Sequence, residues 1–233
     1  IKVFNDLQRT ITGWPGGKPN ADDSNRPERA EPYPKRIILF SPHPDDDVIS
    51  MGGTFIRLVD QGHEVHVAYQ TSGNIAVFDD DTLRFAYFVN EYAQAFGGNK
   101  ELASNLFSKV SDFLATKEPG QVDSDEVKDI KGLIRQAEAW AACKFVGMPD
   151  QQIHVLHLPF YENGKVKKNP VGREDIEITK DLIKKVKPHQ IYAAGDLSDP
   201  HGTHRVCLES VFLALEELKD AEPWMKDCWL WLY

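Results

Sequence analysis

Apolar and polar positions follow each other along the chain in blocks that predict strands and helices in turn. The apolar run Ile37 to Phe40 belongs to a first strand, about residues 36–41, which ends abruptly in Ser-Pro. A short polar turn follows, and apolar residues then recur at helical spacing up to about Gln61. The opening of this block therefore predicts a buried strand, a polar turn and a helix.

Four further strands are predicted, at about residues 63–71, 152–158, 190–194 and 228–233. Helical patterns occupy the segments between them. Two of these, 80–96 and 101–116, flank Gly97-Gly98 and are expected to form a helical insertion over the carboxyl edge of the sheet. Strands that alternate with helices predict an α/β fold: a Rossmann-like, three-layer domain with a mostly parallel sheet.

Composition and size limit the classes of protein that fit. The chain has 233 residues and a formal net charge of -9, without long Lys or Arg runs, which argues against nucleic acid or an anionic membrane as a partner. No apolar run is long enough to span a bilayer. Three cysteines without metal-ligand spacing favour buried free thiols and a reducing, cytoplasmic compartment.

Residues 1–35 are rich in Pro, Gly, Asn and Asp, and we expect an extended arm or linker there. Residues 36–233 are expected to form one domain with a well-buried core. The chain begins with Ile and ends within an apolar run, which we interpret as a piece of a longer polypeptide.

Two polar clusters follow the first and fourth predicted strands: His43-Pro-Asp-Asp-Asp47 and Asp199-Pro-His-Gly-Thr-His204. Carboxyl ends of parallel strands are where open α/β sheets bind ligands. One His and one carboxylate from the first cluster, with a His from the second, would leave a coordination position open, as in catalytic zinc sites. Zinc lowers the pKa of a bound water to about 7. A spare carboxylate could take that water's proton, and a spare His could stabilise an oxyanion or protonate a leaving group.

Each cluster alone has simpler explanations. An Asp-rich turn is more often a helix cap, and two His residues three apart are more often structural. The run Asp45-Asp46-Asp47 also contains Asp-x-Asp, which metal-dependent glycosyltransferases and phosphohydrolases use. Two His and one carboxylate can hold non-haem iron as well as zinc. A sugar-binding module without catalysis is a further alternative.

Four motifs in order carry a resemblance to a known family. The first cluster, from Ser-Pro-His43 to Asp46, resembles the His-Pro-Asp-Asp signature of the LmbE/PIG-L family of zinc-dependent N-deacetylases, which act on N-acetylglucosamine-containing substrates. His201 to His204 resembles the family's His-x-x-His motif, Thr71-Ser-Gly73 its Thr-x-Gly turn, and Arg135 to Ala139 its Arg-x-x-Glu-Ala helix. The chain is also similar to the domain appended to certain glucosamine-6-phosphate deaminase/isomerase-like proteins.

The resemblance implies a role for each matching position. The zinc ligands would be His43, Asp46 and His204, with Fe²⁺ or another divalent transition metal as the alternative to Zn²⁺. Asp45 would be the general base, and His201 would stabilise the tetrahedral intermediate or act as the acid. Substrate contacts would come from Arg135, Thr71 and Gly73.

One motif departs from the family pattern, because Gly202-Thr203 stands where the family has Pro-Asp. The missing acid would have oriented His201, and Asp199 is a candidate to replace it. The implied activity is removal of the acetyl group from an N-acetylglucosamine derivative. If a deaminase-like domain is fused or associated, N-acetylglucosamine 6-phosphate is the expected substrate.

Overall fold

The computed structural model describes residues 35–233, so the predicted arm lies outside the described residues except for Lys35 and stays a prediction. Five strands are present: β1 (Arg36–Ser41), β2 (Glu64–Tyr69), β3 (Ile153–Val155), β4 (Gln190–Ala193) and β5 (Trp229–Leu232). The described residues also form six α-helices: α1 (Asp46–Asp60), α2 (Asp79–Phe96), α3 (Lys100–Thr116), α4 (Asp125–Phe145), α5 (Arg173–Val186) and α6 (Thr203–Leu218).

The five strands form one sheet in the order β3-β2-β1-β4-β5, and every neighbouring pair is parallel. This is the strand order of Rossmann folds. The predicted α/β class and three-layer architecture are confirmed. Within residues 35–233, no helix combines the length and apolar character needed to cross a membrane.

Alternate residues of β1 face two different cores, as the two-residue period of a strand requires. Ile37 and Leu39 pack with apolar side chains of α1 and α4. Ile38 and Phe40 pack with those of α5 and α6. All four β1 residues are fully buried, so the central strand holds both helical layers against the sheet.

Helices α2 and α3 form the insertion, with Gly97 and Gly98 between them at positive φ. Their buried residues Ala86 and Val110 share a small core with Val127 of α4. Each helix begins one residue earlier than its pattern predicts, which shows that helical spacing was a sufficient signal for this segment.

Strand β3 is shorter than expected, covering Ile153–Val155 instead of residues 152–158. The reason is local: His157 adopts φ +48°, a left-handed conformation that ends the regular strand. The backbone N–H groups of Leu156 and Leu158 still bond to Tyr69 and Gln70, at 2.8 and 2.9 Å. The segment thus follows β2 further than its strand bounds indicate.

Candidate metal centre and its cavity

The turns after β1 and β4 meet because these two strands are neighbours in the sheet. Strand order reverses at this point, so the connections leave on opposite faces and open a crevice at the carboxyl edge. The first turn carries His43 to Asp46, and the second leads through His201 to His204 at the start of α6. Topology therefore brings together two clusters that lie about 160 residues apart in the chain.

Three potential ligand atoms form a nearly equilateral triangle in this crevice. His43 Nδ1 lies 3.2 Å from Asp46 Oδ2. His204 Nε2 lies 3.3 Å from the same oxygen and 3.3 Å from His43 Nδ1. Zinc bonds of about 2.0–2.2 Å at tetrahedral angles would separate ligand atoms by roughly 3.3–3.6 Å. The observed spacing and the two-imidazole, one-carboxylate donor set fit a zinc or similar divalent transition metal.

Electrostatics in the triangle keep Asp46 ionised. Burial alone would raise the pKa of this carboxyl, but hydrogen bonds from His204 and His43 outweigh it and bring the pKa well below its usual range. The backbone N–H of His43 also donates to Asp46 Oδ2 at 2.9 Å. The same contact with Asp46 raises the pKa of His204. A negative carboxylate between two imidazoles is the charge state that binds a cation.

The third acidic residue of the first cluster has a different environment. Asp47 is fully buried. Its carboxylate accepts hydrogen bonds from Tyr69 Oη at 2.9 Å and from Ser41 Oγ at 3.2 Å. Asp45 instead lines an open cavity. Asp45 and Asp47 therefore do not face a common ion, which argues against the Asp-x-Asp interpretation.

Arg135 of α4 reaches across to the first cluster. One of its terminal nitrogens lies 3.0 Å from Asp45 Oδ2, and the Arg135 side chain is only 15% exposed. Glu138 lies three residues further along the same helix, a spacing that allows a surface ion pair. Arg135 instead forms its ion pair with the first cluster. Arg135 thus fixes one carboxylate oxygen of Asp45 beside the triangle.

The second cluster is organised by Asp199. Its carboxylate oxygens accept the backbone N–H groups of His201 and His204, each at 3.1 Å. These bonds shape the backbone that enters α6. They do not reach the His201 ring, so Asp199 orients the loop and does not reproduce the acid that the family motif has beside its first His.

Thr71 and Gly73 support the first cluster from behind. Thr71 Oγ1 donates to the carbonyl of Pro42 at 2.7 Å and is fully buried. Gly73 has φ +64°, and a Cβ there would lie 2.8 Å from Pro44 Cδ. Neither residue lines the cavity at the metal triangle, so the structure gives both a supporting position and lends no support to the predicted substrate contact.

A cavity of about 470 Å³ is lined by two residues of the triangle, His43 and Asp46. The sequence-predicted residues on its wall are His43, Asp45, Asp46, Arg135 and His201. Tyr161 and Lys168, from the connection between β3 and α5, also line the cavity, and sequence reasoning missed both. Their position after the carboxyl end of a strand was the signal that could have identified them.

A second, larger cavity of about 1000 Å³ lies between α4 and the loop after β3. It is lined by Ser72, Asn74 and Glu162 among others, and by none of the three candidate ligands. The smaller cavity is therefore the one that combines space for a ligand with the metal-binding chemistry.

Comparison with known proteins agrees with this geometry. The chain is 57% identical over 235 residues to a protein of Bacteroides thetaiotaomicron named as glucosamine-6-phosphate deaminase-like. The match covers 100% of this chain and 35% of that relative, so the chain spans about a third of its length. The family model described as "PIG-L: GlcNAc-PI de-N-acetylase" matches residues 38–215. That match spans β1 to most of α6 and includes both polar clusters, and the chain belongs to the PIG-L family.

Proposed function

We propose that this chain is a metal-dependent hydrolase that removes the acetyl group from an N-acetylglucosamine derivative. The observation that carries the proposal is the triangle of His43, Asp46 and His204 at the end of a ligand-sized cavity. Membership of the PIG-L family supports the reaction class. The resemblance to a deaminase-like relative supports N-acetylglucosamine 6-phosphate as the substrate to test first.

The three triangle residues would hold the metal, with zinc the ion that best suits their donor set. A bound zinc ion would supply a water of lowered pKa and polarise the amide carbonyl. Asp45, on the cavity wall, takes a proton from the attacking water as general base. Attack on the carbonyl carbon gives a tetrahedral intermediate, and cleavage of the C–N bond releases acetate and a free amine.

His201 is exposed and lines the same cavity, which suits it to contact the carbonyl oxygen or the departing nitrogen. In the first role it stabilises the developing oxyanion, and in the second it protonates the amine. Arg135 holds Asp45 by an ion pair at 3.0 Å, which fixes the carboxylate for proton transfer. The substitution of Gly202-Thr203 in the second motif leaves His201 without a side-chain partner acid among the described residues.

The test pairs metal content with acetate release. Protein purified without chelator should contain about one zinc per chain and should release acetate from N-acetylglucosamine 6-phosphate. Asp45→Asn should lower kcat by at least about 100-fold, the scale of a lost general base, while metal content is retained. Asp60→Asn is a matched control, because Asp60 is an exposed carboxylate at the end of α1, away from the cavity.

Three outcomes would contradict the proposal in different ways. Full activity in Asp45→Asn would remove the proposed base. Bound zinc without acetate release from any N-acetylated sugar would favour the non-catalytic sugar-binding alternative. Absence of a transition metal after reconstitution would remove the role given to the triangle.

The name of the relative suggests which reaction consumes the product. Removing the acetyl group from N-acetylglucosamine 6-phosphate yields glucosamine 6-phosphate, the substrate class that a glucosamine-6-phosphate deaminase consumes. We therefore propose that the chain works fused to or beside a deaminase-like domain. In such an assembly Asp45→Asn should abolish ammonia release from the acetylated sugar but not from glucosamine 6-phosphate. Loss of both would contradict the sequential order.

A further inference from the structure

Lys168 is a cation on the wall of the candidate active-site cavity that the proposed reaction does not use. It belongs to the connection between β3 and α5, and its neighbours on the wall include Asp45, Arg135 and His201. The ammonium Nζ lies 3.5 Å from the centroid of the Tyr161 ring and donates a hydrogen bond to the carbonyl of Lys165 at 2.9 Å. These two contacts hold the charge at the cavity instead of leaving it extended in solvent.

Tyr161 itself is held in place by its packing, so the position of its ring against Lys168 is well defined. It is 3% exposed and packs with Leu158, Phe160 and Cys207. Its ring also meets the ring of His43 edge-on, with centroids 5.8 Å apart. One aromatic side chain therefore contacts both His43 of the metal triangle and Lys168.

Lys168 differs from Arg135, the other cation on this wall. Arg135 is ion-paired with Asp45 at 3.0 Å. Within residues 35–233, no carboxylate lies at ion-pairing distance from Lys168 Nζ, although Glu162 is close enough to act on it electrostatically. Burial lowers the pKa of Lys168 to about 8, and Glu162 opposes that shift only in part. An ammonium without a paired anion in a partly desolvated cavity is a position that a ligand's negative group would stabilise.

Apolar surface lies beside this charge. Ile75, Ala76 and Val166 line the same cavity, together with the Tyr161 ring. Such surfaces accept the face of a sugar ring, and a charged group at one end then fixes its orientation. The cavity therefore offers a metal triangle for the reacting amide, an apolar wall for the ring and one cation that has no ion-pair partner within residues 35–233.

We propose that Lys168 binds an anionic substituent of the amino sugar, of the phosphate-ester class, and thereby selects charged over neutral N-acetylated sugars. This inference rests on the proposed deacetylase function and assigns the residue that sets its specificity. Lysine acts on phosphate as a point charge with rotatable donors, which suits a substituent at the flexible end of a sugar.

The first experiment compares two substrates in three proteins. Acetate release is measured from N-acetylglucosamine 6-phosphate and from N-acetylglucosamine, for wild type, Lys168→Met and Lys167→Met. Lys167 is the matched control because it is the adjacent residue, carries the same charge and is exposed outside the cavity wall. Lys168→Met should lower kcat/KM for the phosphorylated substrate about 10- to 100-fold, mainly through KM, and leave the neutral one within about twofold.

A binding measurement keeps the inference testable if acetate release fails for every substrate, which would contradict the proposed function itself. Calorimetry with glucosamine 6-phosphate and with glucosamine should show tighter binding of the phosphorylated sugar to wild type. Lys168→Met should remove that difference, and Lys168→Arg should restore part of it by keeping the positive charge. Circular dichroism of each variant establishes that it is folded.

Two results would overturn the assignment. Equal losses on both substrates would mean that Lys168 only supports Tyr161. Unchanged discrimination in Lys168→Met, or equal binding of charged and neutral sugars by wild type, would mean that no anion is recognised there.

Discussion

Gly73 shows how a residue outside the cavity controls the geometry within it. Its φ of +64° is a left-handed conformation that side chains rarely adopt. A Cβ at this position would lie 2.8 Å from Pro44 Cδ and 3.4 Å from Arg135 Nε. Pro44 stands between His43 and Asp45, so a shift that relieved this clash would pass directly to a candidate metal ligand and to the candidate base.

We expect Gly73→Ala to destabilise the protein by about 1–3 kcal/mol, from the left-handed conformation and the contact with a rigid Pro ring. Acetate release should fall as well, because the turn carrying His43 and Asp45 is displaced. Differential scanning calorimetry and the acetate assay measure the two effects.

Gly53→Ala is the control. Gly53 lies within α1, and a Cβ added there would meet no heavy atom within 4 Å. The free energy of unfolding of this variant should therefore stay constant or rise by up to about 1 kcal/mol. Equal stability of the two variants would contradict the strain assigned to Gly73.

Residue types and their positions after two strands predicted a site of one His and one carboxylate from the first cluster with a His from the second. The resemblance to the LmbE/PIG-L family then implied His43, Asp46 and His204, and these are the three that the fold brings together. The partner of Arg135 could not be predicted in this way. Its helix neighbour Glu138 was visible in the sequence, whereas the ion pair with Asp45 depends on how α4 packs against the turn after β1. Spacing along the chain identifies only the residues that are neighbours on the same helix. The ion pair that forms depends on contacts between elements that are distant in sequence.

At the scale of helices, a buried cation joins the insertion to α4. Lys131 is 4% exposed, and its Nζ lies 2.6 Å from Asp79 Oδ1 and 2.7 Å from Asp123 Oδ2. Lys117 pairs with the same two carboxylates at 2.8 and 2.6 Å. Asp79 begins α2 and Lys117 follows α3, so the network fastens both helices to α4. Arg135 lies one turn further along α4 than Lys131, on the same face.

We expect Lys131→Ala to cost about 3 kcal/mol, near the lower limit for breaking a buried ion pair because Lys117 still neutralises part of the charge. Urea unfolding measures this loss. Lys109→Ala is the matched control: Lys109 pairs with Glu126 at 3.1 Å but is 67% exposed, and its loss should cost at most about 1 kcal/mol. A Lys131→Ala cost no greater than that of Lys109→Ala would show that the network adds little to the packing of the insertion.

The elements themselves were largely predictable, because amphipathic patterns predicted helices such as α2 and α3 to within one residue. β3 was the exception. Its apolar pattern continues to Leu158, but the left-handed backbone of His157 interrupts the strand. Residue type is only a weak signal for that conformation, because His adopts it more often than most residues but still uncommonly. The connection that follows carries Tyr161 and Lys168, the two cavity residues that residue pattern alone did not identify.

For the whole molecule, the order of strands decides where the site forms. The alternating pattern predicts a parallel sheet but does not specify which strands are neighbours. Because β4 lies directly beside β1, the loops carrying His43 and His204 meet at the carboxyl edge. Had β4 been added outside β3, the same two clusters would have ended on different parts of that edge. Long-range strand pairing is thus the property that converts two separate motifs into one candidate metal centre.

At the opposite, amino edge of the sheet, two imidazole nitrogens accept backbone hydrogen bonds. His63 Nδ1 accepts the backbone N–H of Lys35 at 3.0 Å, and His189 Nδ1 accepts that of Arg36 at 3.0 Å. Burial, with smaller contributions from Lys35 and His189, lowers the pKa of His63 to about 4. The neutral form of His63 is therefore the one that the folded chain favours, since a proton on Nδ1 would remove an acceptor.

This shift predicts how stability depends on pH. An unfolded chain protonates His63 near its ordinary pKa of about 6.5, whereas the folded chain does so only near 4, so the unfolded state binds the extra proton between these values. The free energy of unfolding should therefore fall as pH is lowered through this window, with His63 contributing up to about 3 kcal/mol of the loss. In His63→Asn, which keeps an acceptor near Nδ1, the loss between pH 7 and 5 should be smaller by roughly 2 kcal/mol. Urea unfolding at pH 7, 6 and 5 measures this difference.

His157→Asn is the control. A hydrogen bond with Glu162 raises the pKa of His157, and Asn tolerates the left-handed backbone at this position. That variant should therefore keep the steep dependence of stability on pH. Identical pH slopes for wild type and His63→Asn would mean that the acid sensitivity of the fold arises elsewhere.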